Sequence, residues 1–389
     1  MTLDESITIY QMILMKFAHL ADLHLGKKLN GISLLEDQKY ILNEVLTILR
    51  RQNIDALLIA GDIYQTAQPS SEALSLFDDF LGKLVDLNIP VYMISGNHDS
   101  EERIAYFSKL IKKANVFTNE LFDGKTQAIQ LKDEYGEIFV HLLPFIKPID
   151  IKKYYPDEKI DSYQKMMEFV LKASNIDMDK RNILLCHQFI TGGITSDSEV
   201  YAIGTLDNIN HQVFDAFDYV ALGHLHHPQH VGRKEVRYSG SLLKYSLSEL
   251  TSNKSVTIVE IKEKGNIQIE TIDLKPLRDM RELKGYYQDL MNEPYSEDYM
   301  SIVLEDDIVL PDAYLSLMTN FPNMISYRLK KNNEVYEHEE LTDMENKSVL
   351  DLFTDFYRGQ NNDRMPSSEQ LDLIKKIIAE IEEEEHEAN

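Results

Sequence analysis

Two patterns along this chain predict an α/β layered fold. Short apolar runs at 17–20, 56–60, 91–95, 183–186 and 219–222 each end in a cluster of small polar residues, as buried strands do when they stop at a loop. Between the first three lie longer segments, 35–51 and 70–87, whose apolar residues recur at three-to-four spacing, the period of a helix that buries one face. Strand–helix–strand alternation of this kind stacks helices on a sheet.

Taken in order, Met1 to Gln11 has two acids and no Lys or Arg, so it lacks the basic start of a signal peptide. Met15 opens the first strand-like run, and residues 1–14 are expected to be an extension outside the fold. Residues 15–275 then read as the main α/β domain. Near its end, 255–260 and 267–272 flank Lys264-Gly265-Asn266 and predict a hairpin. Pro276 marks a boundary. Residues 276–335 read as a small α+β domain, with a helix over 283–291, a strand over 299–304, a helix near 311–318 and a strand over 324–329. Residues 336–389 read as an acid-rich linker followed by helices. Leu350, Phe353, Phe356 and Tyr357 form one apolar stripe, and Leu373, Ile374, Ile377, Ile378 and Ile381 another. Ser367 with Gln370 three residues on is a capping-box start for the last helix.

Hydrophobic residues make up 43% of the 389, enough for a sizeable core, and no run of about 18 apolar residues predicts a membrane span. Cys186 is the single cysteine, so no internal disulfide is possible and a reducing cytoplasm is the expected location. The net charge of −25 argues against a broad basic face for nucleic acid. Part of that acidity is a solvated tail, Glu380 and Glu382 to Glu385, and bound divalent cations reverse the local sign at an acidic cluster.

The chemistry is carried by five short motifs at the C-terminal ends of predicted strands. They are Asp22-Leu23-His24, Gly61-Asp62, Gly96-Asn97-His98-Asp99, His187, and Gly223-His224-Leu225-His226. Ligands collect at that edge of an open α/β sheet. Carboxylate, imidazole and amide oxygen suit Mn, Fe or Zn, and the absence of thiolate argues against a structural zinc finger. Asp-x-His and His-x-His place side chains two apart, on one face if the backbone is a strand. The candidate ligands Asp22, His24, Asp62, Asn97, His187, His224 and His226 exceed what one ion needs and fit two ions sharing a carboxylate. A lone His at a strand end, or a lone Gly-Asp, is more often an ordinary polar turn. All five motifs in this order are what point to a two-metal site. His141, His211, His227, His230 and His386 lack that context and read as structural or surface residues.

These motifs resemble the calcineurin-like metallophosphoesterase superfamily, whose fold is a layered β-sandwich flanked by helices. The longer strings Ala21-Asp22-Leu23-His24-Leu25-Gly26, Gly61-Asp62-Ile63-Tyr64, Ser95-Gly96-Asn97-His98-Asp99-Ser100, Leu222-Gly223-His224-Leu225-His226 and Tyr238-Ser239-Gly240-Ser241 are similar to bacterial exonucleases of the SbcD family. The resemblance implies a DNA nuclease acting on duplex ends, single strands and hairpins. It implies two divalent ions, usually Mn²⁺, and a partner ABC ATPase of the SbcC type with a coiled coil, in a heterotetramer built on a nuclease homodimer. It places a DNA-capping domain at 276–335 and the ATPase contact at the terminal helices. It assigns Asp22, His24 and His226 to one ion, Asn97, His187 and His224 to the other, and Asp62 to the bridge. His98 is then the catalytic residue that contacts the scissile phosphate and protonates the leaving 3′-oxygen, with Asp99 orienting it. One stretch departs from the family: an acid or histidine often stands three residues after the bridging Asp, with a proline pair soon after, whereas here the segment is Gln65-Thr66-Ala67-Gln68-Pro69-Ser70.

Two other functions compete. A metallophosphoesterase for phosphoproteins or small nucleotides keeps the metals, but Ile63-Tyr64-Gln65-Thr66 lacks the arginine with which protein phosphatases of this superfamily grip phosphate. A non-catalytic adaptor of an ATPase needs no complete ligand set.

Overall fold

The computed structural model describes residues 15–106, 108–199, 208–306 and 312–330, with scattered positions between 354 and 375. The expected extension 1–14, residues 331–353 and most of the terminal apolar stripes lie outside the described residues.

Two six-stranded sheets form the body of the chain. In spatial order the first runs Ile267–Asp273, Ser255–Ile261, Met15–Leu20, Ala56–Ala60, Val91–Ile94, Val116–Thr118. The last four are parallel, and the predicted hairpin adds antiparallel at the edge. The second runs Gln229–Val231, Arg233–Tyr238, Tyr219–Gly223, Arg181–His187, Gly136–Leu143, Gln127–Asp133, with its four inner strands parallel.

The pleat sorts each strand's side chains onto two faces. Phe17, Leu58 and Tyr92 of the first sheet meet Val140, Leu185 and Tyr219 of the second in one buried cluster between the sheets. Ala18, Leu20, Leu57 and Ile59 turn the other way, onto helices α1 (Leu35–Arg51) and α2 (Ser71–Asp86). On the far side Leu184, Cys186, Val220 and Leu222 pack with Met166, Met167 and Val170 of the Tyr163–Ala173 helix. The layers are helix, sheet, sheet, helix: the expected sandwich. Burial on both faces explains why the central strands read as continuous apolar runs rather than alternating ones. The helix α2 is capped by Ser70, whose Oγ accepts the Ala73 N–H at 3.3 Å.

A third, three-stranded sheet is wholly parallel: Met280–Gly285, Tyr299–Leu304, Met324–Leu329. Leu290, Ala313, Leu317 and Phe321 cover Met300, Ile302 and Leu304 on one face. Here the expected helix over 283–291 is corrected. Residues Met280–Gly285 are a strand in register with Tyr299–Leu304, and only Tyr287–Leu290 is helical. Gly285 sits where the helix would have to continue, and glycine costs a helix about 1 kcal/mol. Among the described residues no helix is long and apolar enough to cross a membrane. In the C-terminal segment the capping box is present: Ser367 N–H donates to Gln370 Oε1 at 2.9 Å and Gln370 N–H to Ser367 Oγ at 3.3 Å.

Candidate metal centre

The parallel strands of both sheets end toward one rim, and the loops there carry all seven candidate ligands. Asp22 and His24 follow Met15–Leu20, Asp62 follows Ala56–Ala60, and Asn97 follows Val91–Ile94. His187 closes Arg181–His187, and His224 and His226 follow Tyr219–Gly223. The idea that the paired motifs share one face of a strand needs correcting, because the strands stop first, at Leu20 and Gly223. Asp22 (φ 53°), His24 (φ 45°), Asp62 (φ 49°) and His224 (φ 106°) instead have left-handed or related positive-φ backbones. Such conformations are strained for non-glycine residues, and the surroundings must enforce them. Hydrogen bonds between loops do so: Asp22 N–H to Gly61 O at 3.1 Å, His24 N–H to Asp62 O at 3.0 Å and Leu25 N–H to Ile63 O at 3.0 Å. Glycines supply room. A Cβ on Gly96 would stand 2.2 Å from Asp62 Oδ1, and one on Gly223 would stand 1.9 Å from Ala60 O.

The imidazole and amide donors fall into two groups, with the Asp62 carboxylate between them and Asp22 near members of both. His24 Nε2 and His226 Nε2 lie 3.1 Å apart, close to the separation of two nitrogens that each reach the same ion at about 2.1 Å. Asn97 Oδ1 lies 3.0 Å from both His187 Nε2 and His224 Nδ1. Asp62 Oδ2 sits between the groups, 3.6 Å from His24 Nε2 and 3.4 Å from His187 Nε2. Its other oxygen is occupied, accepting the His98 N–H at 2.9 Å. Among the described residues, the ligand atoms of Asp22, His24 and His226, of His24, Asp62 and His98, and of Asp22, Asp62 and His187 lie within 4.8 Å of one another. Imidazoles and carboxylates converging so closely fit divalent cations and would be poorly satisfied by one another.

Electrostatics separate the members. Burial raises Asp22 to about 7 despite nearby His187 and His226. Burial pushes Asp62 up too, but His187, His24 and His98 outweigh it and hold it well below the usual carboxylate range. His187 is the reverse case: burial pulls it down, and Asp62 more than offsets this, leaving it raised to about 9. Burial lowers His24 and takes His224 down to about 3, so both keep lone pairs available at neutral pH. An ion that takes His187 displaces its proton, so ion binding tightens as pH rises.

Residues behind the donors fix their orientation, and sequence reading missed them. His187 Nδ1 donates to Ala60 O at 2.8 Å, which leaves Nε2 for the site. His226 Nδ1 lies 2.8 Å from Ser198 Oγ and 3.4 Å from Glu249 Oε1. Glu249 Oε2 accepts from the buried Lys254 Nζ at 2.6 Å, and that ammonium also donates to His226 O at 2.8 Å and Ser241 Oγ at 2.9 Å. Burial pushes Glu249 up, but His226 and Lys254 hold it well below its ordinary value. Only the Tyr238-Ser239-Gly240-Ser241 string pointed here, through Ser241. Replacing Glu249→Gln keeps the shape and removes the nearer of the two carboxylate charges behind His226, Glu199 Oε1 being 3.7 Å from the same Nδ1. We expect Mn²⁺ affinity to fall about 10–100-fold, the usual cost of losing such a partner. Titration calorimetry checks this, and unchanged affinity would contradict it.

His98 is half-buried, its Nδ1 donating to Gln65 O at 2.9 Å and its ring edge-on to His24 with centroids 4.9 Å apart. The departure at Gln65 is therefore bridged by backbone: the carbonyl, not the side chain, holds His98. The expectation that Asp99 orients His98 is corrected. Asp99 accepts the N–H groups of Gly96 (2.9 Å), Ile63 (3.1 Å) and Tyr64 (2.9 Å), tying the Asp62 loop to the Asn97 loop. His141 is a satisfied structural residue, near Asn182 Oδ1 (3.1 Å) and Thr126 Oγ1 (3.2 Å), and His386 lies outside the described residues.

Fold and donor set together define a metal-dependent phosphodiesterase. The model of the calcineurin-like phosphoesterase family matches residues 15–228, and that of the type 5 capsule protein repressor C-terminal domain matches residues 276–361. The chain is 34% identical over 377 residues to SbcD, the D component of nuclease SbcCD, from Staphylococcus epidermidis, covering 94% of this chain and 99% of that protein. Two solved structures are similar at 11% identity: an archaeal phosphodiesterase (TM-score 0.30, 66% of this chain, 100% of that one) and a dimetal phosphatase from Danio rerio (TM-score 0.39, 68% and 99%). The chain belongs to the calcineurin-like phosphoesterase family and, within it, to the SbcD nucleases.

Proposed function

We propose that this chain cuts DNA with two divalent cations, Mn²⁺ being the working ion, as exonuclease on duplex ends and endonuclease on single strands and hairpins. Asp22, His24 and His226 hold one ion; Asn97, His187 and His224 hold the other; Asp62 bridges. The observation that carries this reading is the place of Asp62 Oδ2, 3.6 Å from a nitrogen of one donor group and 3.4 Å from a nitrogen of the other. When bound, two such cations activate a water and stabilise charge building on the phosphoryl oxygens. His98 contacts the scissile phosphate and gives its proton to the leaving 3′-oxygen, the general-acid role open to an imidazole.

The partner in this reading is an SbcC-type ABC ATPase, docked through its coiled-coil base on the C-terminal helices, with a nuclease homodimer at the centre of a cytoplasmic heterotetramer. It rests on the kinship to one component of a two-component nuclease and on the terminal apolar stripes. ATP on that partner gates duplex processing, and delivery by it accommodates a chain of net charge −25.

The test offers the purified chain linear duplex, single-stranded DNA and a nitrophenyl phosphate ester, with Mn²⁺ and with EDTA. Mn²⁺-dependent DNA cleavage that EDTA abolishes is expected. Hydrolysis of the small ester with DNA left intact would support the small-substrate alternative instead.

A further inference from the structure

The loop that carries His24 is held from outside the site by Gln38, a fully buried polar side chain on the first turns of α1. Its Oε1 accepts the Gly26 N–H at 2.9 Å, and its Nε2 donates to His24 O at 2.8 Å and Leu23 O at 3.3 Å. Tyr245 OH donates to the same Leu23 carbonyl at 2.6 Å. These bonds clamp the backbone from Leu23 to Gly26, with the strained His24 between them and the strained Asp22 just before. Nothing in the motif strings marked Gln38.

The residue before it, Asp37, is the anchor of the third sheet. Asp37 Oδ2 accepts from Arg278 Nη1 at 2.7 Å and from Tyr299 OH at 2.8 Å, and Arg278 Nη2 reaches Glu36 Oε2 at 2.6 Å. Asp37 is itself buried, and among the described residues its Oδ1 has no hydrogen-bond partner, so its share of the clasp runs through Oδ2. Open pockets of about 250 and 320 Å³ are both lined by Arg278 and Tyr299, so the clasp lies at a solvent-accessible seam. Lys244 Nζ to Asp279 Oδ1 at 2.9 Å is a second polar tie across the same seam.

We infer that Gln38 is a positioning residue for the His24 ion and that Arg278 and Tyr299, acting through Asp37, set how firmly α1 presents it. The third sheet thereby tunes one metal position without touching it. Gln38 touches the backbone on either side of His24 but neither His187 nor Asn97, so the effect falls on one ion and spares the other. This inference rests on the assignment of His24 as a ligand made above.

The test is Mn²⁺ titration of the full chain by calorimetry, with thermal unfolding recorded for every variant. Wild type should show two binding events. In Gln38→Leu one event should weaken about 10–100-fold, the range for loss of an outer partner, while the other stays in place. Gln38→Glu, which keeps the Gly26 contact and loses the donor to His24 O, should weaken the same event. Arg278→Leu should weaken that event too, and Tyr299→Phe, a milder change that removes one hydroxyl, should do so less. A merely structural role would lower the unfolding temperature without splitting the two events. Equal weakening of both, or no shift in the folded Gln38→Glu and Tyr299→Phe chains, would overturn the inference. His24→Ala belongs in the same series. If it removes neither event, the ligand assignment has failed; if it removes one while the Gln38 variants remain unshifted, only the present inference has.

Discussion

Asp62→Asn is expected to lose both ions together and with them all measurable DNA cleavage. Asparagine fits the same space, but its two ends are not equivalent. The Asp62 Oδ1 position accepts the His98 N–H at 2.9 Å, so the amide oxygen settles there and the NH₂ takes the place of Oδ2. A donor then faces His24 and His187 where a shared anionic acceptor stood. Loss of that charge also removes the main influence that holds His187 raised. The cost should exceed the roughly 10–100-fold that outer partners contribute to metal affinity. Elemental analysis after dialysis against Mn²⁺ measures it, with circular dichroism to show that the fold survives. Two ions per chain in the variant would refute the bridging role.

His98→Ala should do the opposite: keep both ions and lose about 10²–10⁴-fold in turnover on DNA, the range for a general acid. The ring is fixed by the Gln65 carbonyl through Nδ1, which leaves Nε2 to act on substrate, and it stands beside His24 and Asp62. Its closeness to those two donors makes ligation the competing role, and metal analysis separates the two. A second readout bears on the proton itself. A phosphodiester with a nitrophenol leaving group needs little protonation, so its hydrolysis should fall much less than that of DNA. Equal losses on both substrates, or loss of an ion, would show the role to be misassigned.

Much of the site was legible because its ligands sit in short contiguous strings at strand ends. Asp22, His24, Asp62, Asn97, His187, His224 and His226 could be picked out by residue type and place alone, and they converge. Their geometry was not legible. The positive φ values of Asp22, His24, Asp62 and His224 come from bonds between loops distant in sequence, which no local pattern encodes. Gln38, Glu249 and Lys254 escaped for the same reason: each acts on a loop elsewhere in the chain. In the fold, helix α1 was read to the residue because its apolar period is long and uninterrupted. The edge hairpin of Gln127–Asp133 and Gly136–Leu143 was not assigned. Its outer strand alternates half-buried Gln127, Ile129 and Leu131 with exposed Ala128, Gln130 and Lys132, so only two of its inward positions are strongly apolar, a weak signal beside the buried central strands. The helix read across 283–291 failed where parallel pairing with Tyr299–Leu304 overrode local preference.

The most direct measurement is anomalous diffraction at the manganese edge from crystals of the full chain grown with Mn²⁺. Two peaks about 3.5–4 Å apart are predicted, one against His24 and His226, the other against His187 and His224, with Asp62 Oδ2 touching both. A single peak, or a pair in which Asp62 touches only one ion, would contradict the account.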